Sequence, residues 1–126
     1  MGQILDVEPI LLEDYDSGQI TNGSSTKYSI VTEAAYTRNR WIKSNKTVWV
    51  KFQLKCTTPS NSWDAVATGL PVASSIHDGT TIGSCVKETS FTTVDGCQFL
   101  IQNGILYVRG GTANCNYYVD HCYVTD

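Results

Sequence analysis

Two Asx-Gly pairs, at residues 95–96 (Asp-Gly) and 103–104 (Asn-Gly), interrupt a run of β-forming residues. Asn, Asp and Gly tolerate the positive φ angles at the centre of a type I′ turn, so each pair predicts a two-residue hairpin. Two such turns at this spacing predict a three-stranded antiparallel meander, with strands at residues 90–94, 97–102 and 105–109. A chain that contains this meander is expected to be a β protein.

The hairpin register divides the meander into two faces, because opposite residues of a two-residue hairpin share a face. The pairs on the apolar face are Val94 with Cys97, Thr92 with Phe99, Ile101 with Leu106 and Phe99 with Val108. The reverse face is polar and aromatic, and carries Phe91, Thr93, Gln98, Leu100, Gln102, Ile105, Tyr107 and Arg109. We expect the first face to line a core and the second to meet solvent, a partner or a ligand.

The longest predicted strand covers residues 46–56 (KTVWVKFQLKC), where apolar and polar side chains alternate. A period of two over this length excludes a helix. Shorter strands are predicted at residues 27–33, 35–43, 80–88 and 117–124, with one more inside the irregular stretch 57–83. About eight or nine short strands at such intervals predict an all-β fold, an antiparallel, jelly-roll-like β-sandwich.

A chain of 126 residues has the size of one domain. Residues 1–26 form a predicted N-terminal arm and polar linker, so the predicted β-sandwich head domain spans residues 27–126. The net charge is −3, and acidic residues outnumber basic ones mainly ahead of Lys27. Without a clustered basic face we expect no nucleic-acid binding. Without a signal pattern or a long apolar run we expect no export signal and no membrane insertion.

Five cysteines raise the alternatives of disulfides or a metal site. The count is odd, and the tightest group, Cys115 with His121 and Cys122, would be split between the two faces of a strand. We therefore predict no metal and no cofactor. Cys56 and Cys97 fall on the apolar faces of their strands, which indicates small buried side chains with free thiols, as in a reducing cytoplasm.

No pattern for catalysis stands out in this chain. The pair Asp120 and His121 is adjacent in a strand, so the carboxylate cannot readily orient the imidazole, and residues 77–78 (His-Asp) fall in a loop. The chain has no GxSxG, HExxH or phosphate-loop motif. We predict a non-catalytic protein. Paired carboxylates for glycoside hydrolysis stay open as an alternative, and the acids concerned are Asp64, Glu88 and Asp95.

Several short segments carry a family resemblance. They are TRNR (37–40), VWVKFQL (48–54), ATGLPVA (67–73), NGILYVRGG (103–111) and YYVDHCYVTD (117–126). In this order they resemble the C-terminal head domains of tail-fibre and minor structural proteins from phages of Gram-positive bacteria. The resemblance covers about residues 28–126.

The resemblance implies a small β-sandwich at a fibre tip, a homotrimer that contacts other virion tail proteins. It implies assembly in the host cytoplasm, a final location in the virion tail, and recognition of a cell-wall polysaccharide or teichoic acid. Two alternatives remain open: a monomeric carbohydrate-binding module of a bacterial surface protein, and a purely structural virion decoration domain.

Aromatic side chains are the predicted binding groups, because rings stack on sugars. Trp49 faces outward on the longest strand, where it offers a sugar platform or covers a sheet edge or a second subunit. Trp63 either caps the core or forms an exposed platform. Trp41 and Arg40 belong to the most basic short segment, which is either an anion-binding patch or a solvated face with one inward tryptophan.

A subunit interface is the second predicted surface. Exposed aromatic and arginine side chains are enriched at such interfaces. The side chains assigned to it are Tyr107, Arg109, Trp49 and Phe91.

Overall fold

The computed structural model describes residues 15–32, 39–89 and 95–126. No helical segment within these ranges has the length and apolar composition of a membrane span. One 3₁₀ turn spans Ser75–His77. The strands are β1 (Tyr15–Gln19), β2 (Tyr28–Ile30), β3 (Arg40–Ser44), β4 (Thr47–Cys56), β5 (Asp64–Ala67), β6 (Thr80–Ser84), β7 (Val86–Lys87), β8 (Gln98–Gln102), β9 (Ile105–Arg109) and β10 (Cys115–Val124).

The strands form two antiparallel sheets that face each other across one core. Sheet A has six strands in the order β1-β3-β4-β10-β7, and β2 pairs with the end of β4. Sheet B has four strands in the order β5-β9-β8-β6. The predicted all-β, antiparallel sandwich is confirmed, with ten strands in the described residues where the sequence indicated about eight or nine.

The alternating segment builds the centre of sheet A. Inward positions of β4 are fully buried, and they are Val48, Val50, Phe52, Leu54 and Cys56. β10 lies beside β4 along the whole strand, from Cys115 opposite Cys56 to Val124 opposite Thr47. A slip of one residue would turn every apolar side chain of β4 to solvent, so the alternation fixes this register.

The hairpin of β8 and β9 has the predicted register, with Phe99 opposite Val108. Both residues of its turn, 103–104, have positive φ, as a type I′ turn requires. Residues 90–94 lie outside the described residues, but the predicted pairing of this strand with β8 is wrong, because both edges of β8 are occupied by other strands. The second edge of β8 pairs with β6, whose Gly83 lies opposite Phe99.

Phe99 joins the two sheets at the centre of the core. Its ring meets Phe52 of sheet A edge to face, with centroids 6.1 Å apart at 86°, and it meets His121 of β10 at 4.9 Å. The ring also occupies the space above Gly83, where a Cβ atom would lie 2.7 Å from it. Close packing on three sides makes this position intolerant of a smaller side chain.

Two buried tyrosines tie loops to the sandwich. The Tyr28 hydroxyl donates to the Gly110 carbonyl at 2.7 Å and accepts from the Ser60 N–H at 3.0 Å. The Tyr117 hydroxyl donates to the Asp95 carboxylate. Burial is the main cause that raises the pKa of both, that of Tyr28 to about 12, so both stay protonated donors.

Strand β1 packs on the sandwich ahead of the predicted start of the head domain near Lys27. It pairs with β3 along its whole length, and the next residue, Ile20, is only 2% exposed. Gly18 lies directly under Trp41, whose indole would be 2.6 Å from a Cβ atom there. The sequence did not predict this strand because residues 15–26 are mostly polar. The apolar surface of the contact between β1 and β3 comes from β3. Residues 1–14 of the predicted arm lie outside the described residues.

Candidate functional site

An exposed tryptophan stands on the outer face of sheet A. Alternate residues of β4 face away from the core, so Trp49 projects outward between Ile42 of β3 and Cys122 of β10, its partners in the register. The Trp49 side chain is 46% exposed. Tryptophan is usually among the most buried residues by area, so an indole held this openly on a regular strand is available for stacking.

An ion pair borders Trp49. Lys51 Nζ lies 3.9 Å from Asp120 Oδ1, and the two side chains are 65% and 64% exposed. Such an exposed pair adds at most about 1 kcal/mol to stability, because water screens its charges. Arg40 of β3 lies opposite Lys51 and is exposed. The indole is therefore flanked by two cations and one carboxylate that a ligand can engage.

Two grooves lie beside Cys122 of β10. The first, of about 240 Å³, is lined by Trp49, Val50, Lys51, Asp120, His121 and Cys122. The second, of about 390 Å³, is lined by Ala73, His77, Thr80, Thr81, Ile82, Cys122, Tyr123 and Val124. Both are lined by Cys122, which is exposed. The second groove reaches β6 of sheet B, where Thr81 and Ile82 line it.

His121 faces inward at the open side between the sheets. Its Nε2 atom lies 2.7 Å from Thr81 Oγ1 of β6, and its ring packs against Phe99 and Tyr123. Burial lowers the pKa of His121, which favours the neutral imidazole. Asp120 faces the opposite side of β10, toward Lys51. The pair of His121 and Thr81 therefore links the two sheets, without a carboxylate from Asp120 to orient it for catalysis.

The three carboxylates considered for glycoside hydrolysis each have hydrogen-bond partners of their own. Asp64 accepts from the Ser25 hydroxyl. Glu88 accepts from the Gln53 amide at 3.3 Å and from the Tyr118 hydroxyl at 3.2 Å. Asp95, as described above, accepts from Tyr117. These contacts give each carboxylate a role in holding local structure.

On sheet B, Trp63 and Arg109 form a stacked pair. The guanidinium carbon of Arg109 lies 4.2 Å from the centroid of the Trp63 ring, and its Nε donates to Gln98 Oε1 at 3.0 Å. Both the indole and the guanidinium are half-buried. The Arg109 guanidinium therefore stacks on the Trp63 ring in a cation–π contact. This position is intermediate between the two alternatives from the sequence, a cap on the core and an exposed platform.

A row of apolar side chains crosses the outer face of sheet B. Neighbouring strands place its members directly opposite one another, and they are Ala65, Tyr107, Leu100 and Ile82. Ile82 is 53% exposed, and Tyr107 and Leu100 are half-buried. The row spans all four strands, so it forms one continuous apolar surface, which we call the sheet B row.

The structure divides the predicted site residues among three places. Trp49 and Arg40 share the outer face of sheet A. Trp41 points to the opposite face, where it packs against the core. Tyr107 and Arg109 lie on the outer face of sheet B, so they cannot form one patch with Trp49. The fourth predicted interface residue, Phe91, lies outside the described residues.

Sequence reasoning missed the groups that surround Trp49. The alternation of β4 places Lys51 on the same outward face as Trp49, but the approach of Asp120 and Cys122 depends on the pairing of β10 with β4. The sequence contains only a weak indication of this pairing. Both strands are ten residues long and alternate, and long strands of equal length tend to pair at the centre of a sheet.

No metal site is found in the part of the chain that the structure describes, where no three His, Cys, Asp or Glu side chains are grouped to hold an ion. Comparisons with models of protein families, with curated proteins and with solved structures find no match for the chain.

Proposed function

We propose that this protein is the head domain of a phage tail fibre and recognises a polysaccharide or teichoic acid on the host surface without cleaving it. The observation that carries the proposal is the exposed Trp49 in its groove. The flat apolar face of a sugar ring stacks on an indole, and the charged groups of Lys51 and Asp120 are placed to hydrogen-bond its hydroxyls. Arg40 and Lys51 add the positive charge that a teichoic phosphate prefers.

The location of the sheet B row supports a trimer. Exposed apolar surface that crosses a whole sheet is typical of a protein–protein contact. Sheet B is the layer opposite the sheet that carries Trp49, and Ile82, at the β6 end of the row, also lines the second groove. Three copies packed through the outer faces of sheet B would leave every Trp49 groove open to a ligand, as the tip of a fibre requires.

Replacing Trp49 with alanine should weaken binding to host cell walls at least about tenfold, the equivalent of about 1.4 kcal/mol, because the stacking platform is lost. Binding is measured by co-sedimentation with purified walls of Gram-positive bacteria. Tyr15→Ala is the matched control, because Tyr15 is an exposed aromatic residue on the same sheet, 52% exposed and outside both grooves. Equal binding of the two variants would contradict the assignment of Trp49.

The assembly part of the proposal predicts a solution mass near three times 13.9 kDa by light scattering coupled to size exclusion. Ile82→Lys should then yield a monomer, because a charge enters the sheet B row. Val72→Lys should remain a trimer, since Val72 is equally exposed, at 52%, and lies outside the row. A monomeric wild-type protein that binds walls would instead favour a carbohydrate-binding module. A trimer that binds no wall fraction would favour a structural virion domain.

A further inference from the structure

Four of the five cysteines stand in two facing pairs. Cys56 of β4 and Cys115 of β10 are direct partners in the register of sheet A. Cys85 and Cys97 face each other one position beyond the last pair of β6 and β8, where the Cys85 N–H donates to the Cys97 carbonyl at 2.9 Å. The fifth cysteine, Cys122, is exposed and faces outward.

The strand register brings the two cysteines of each pair to facing positions, which a disulfide can span. Facing residues of antiparallel strands are about 4.5–5.5 Å apart between their Cα atoms, which is within the range found in disulfides, about 4.4–6.8 Å. Facing residues also direct their side chains to the same side of the sheet. A hydrogen bond with the Cys97 side chain is the main cause that raises the pKa of the Cys85 thiol, as expected of two neighbouring buried thiols.

We propose that these pairs are two latent disulfides, Cys56–Cys115 and Cys85–Cys97, which form in the folded protein when it meets a small disulfide such as oxidised glutathione. In each pair, one cysteine thiolate attacks a glutathione sulfur, which breaks the glutathione disulfide and releases one glutathione. The facing cysteine then attacks the mixed disulfide and releases the second glutathione. Two protein thiols are oxidised, one glutathione disulfide is reduced, and the two thiol protons pass to the two glutathiones.

Burial determines the order in which the two disulfides form. Cys115 is partly exposed, so the oxidant reaches the first pair there, whereas Cys85 and Cys97 are both fully buried. Oxidation of the second pair has to wait for a local opening of the sheet. Burial also raises the pKa of the Cys56 thiol to about 11, so Cys115 is the attacking group and Cys56 the resolving one.

The two disulfides would form whatever the groove binds. A protein that folds in a reducing compartment and later leaves it would be reinforced after folding, without any need for an oxidising environment during folding. The Cys56–Cys115 bond would join the two central strands of sheet A. The Cys85–Cys97 bond would close the end of β6 onto the start of β8.

The test uses the full chain with Cys122→Ser, which removes the exposed thiol. The folded protein is incubated with oxidised glutathione and digested with trypsin without reduction. The fragments 56–87, 88–109 and 110–126 then contain Cys56 with Cys85, Cys97, and Cys115 respectively. We expect one species that joins all three fragments and separates on reduction. Cleavage before Asp64 and Asp78 should resolve it into the 56–115 and 85–97 links.

Two further measurements keep the result decisive. Oxidation should raise the melting temperature by about 5 °C or more, and dithiothreitol should reverse the rise. In a Cys115→Ser variant the 85–97 link should persist and the other should disappear. If Cys122→Ser does not fold, the wild-type protein gives the same fragment map with glutathione on Cys122. Free thiols at all four positions after oxidation of the folded protein, or links with other pairings, would overturn the proposal.

Discussion

The Phe99→Ala variant is expected to lose about 3–5 kcal/mol of unfolding free energy, the range measured for removal of a buried aromatic ring. The ring contacts Phe52 of the opposite sheet and His121 of β10, and it fills the space above Gly83. Its removal opens a cavity between the two sheets that the neighbouring backbone cannot close. Urea denaturation, with the midpoint and slope both recorded, measures the loss.

Leu100→Ala is the matched control for Phe99→Ala. Leu100 is the next residue on β8, but it lies on the outer face of sheet B and is only half-buried. We expect its substitution to cost the monomer about 1 kcal/mol, a typical value for a point substitution away from the core, so both variants are compared at a protein concentration low enough to separate the subunits. A similar loss in both variants would mean that the assignment of faces on β8 is wrong.

Replacement of Gly110 by alanine is the second large expected effect, at about 3 kcal/mol or more. Gly110 has a φ of 76°, and a Cβ atom there would overlap the carbonyl oxygen of Gly96. The backbone cannot move away, because the Gly110 N–H donates to the Ser60 carbonyl at 2.7 Å and its own carbonyl accepts from Tyr28. The strain of the left-handed backbone and the overlap with Gly96 therefore both add to the loss of stability.

Gly69→Ala separates these two causes. Gly69 has a similar φ of 81°, but nothing lies within 4 Å of the position of a Cβ atom. Its substitution should cost only the left-handed strain, about 1–2 kcal/mol. Thermal or urea unfolding of the two variants side by side gives the difference. Equal losses would show that the contact with Gly96 relaxes freely.

The parts of the fold that follow from local sequence were predictable. Alternation located β4 to within one residue, and the Asn103-Gly104 turn gave the register of β8 and β9. In both cases the information lies in neighbouring residues. Side-chain periodicity indicates β4, and the preference of Asn-Gly for positive φ indicates the turn between β8 and β9.

Pairings between distant segments were not predictable from these patterns. β6 pairs with the second edge of β8, and β1 pairs with β3 although its composition is that of a linker. The choice of neighbour depends on which strands together bury the most apolar surface, and no single segment contains that information.

In the candidate site, too, local patterns were predictable and pairings between distant segments were not. The outward position of Trp49 follows from alternation alone. Its neighbour Asp120 comes from β10, whose register against β4 became visible only in the folded chain. A single slip of that register would have turned Asp120 inward and His121 outward.

The pairing of β4 with β10 also has a consequence for how the chain reaches its native state. Nearly half of the sequence lies between these two strands, so a long loop must close before the centre of sheet A exists. Proteins with such distant pairings fold slowly, because the loop entropy is lost before the contacts form. During synthesis, β4 is made long before β10, so one of its edges and its apolar side chains stay unpaired for that time. Incorrect association with neighbouring chains is most frequent in this interval.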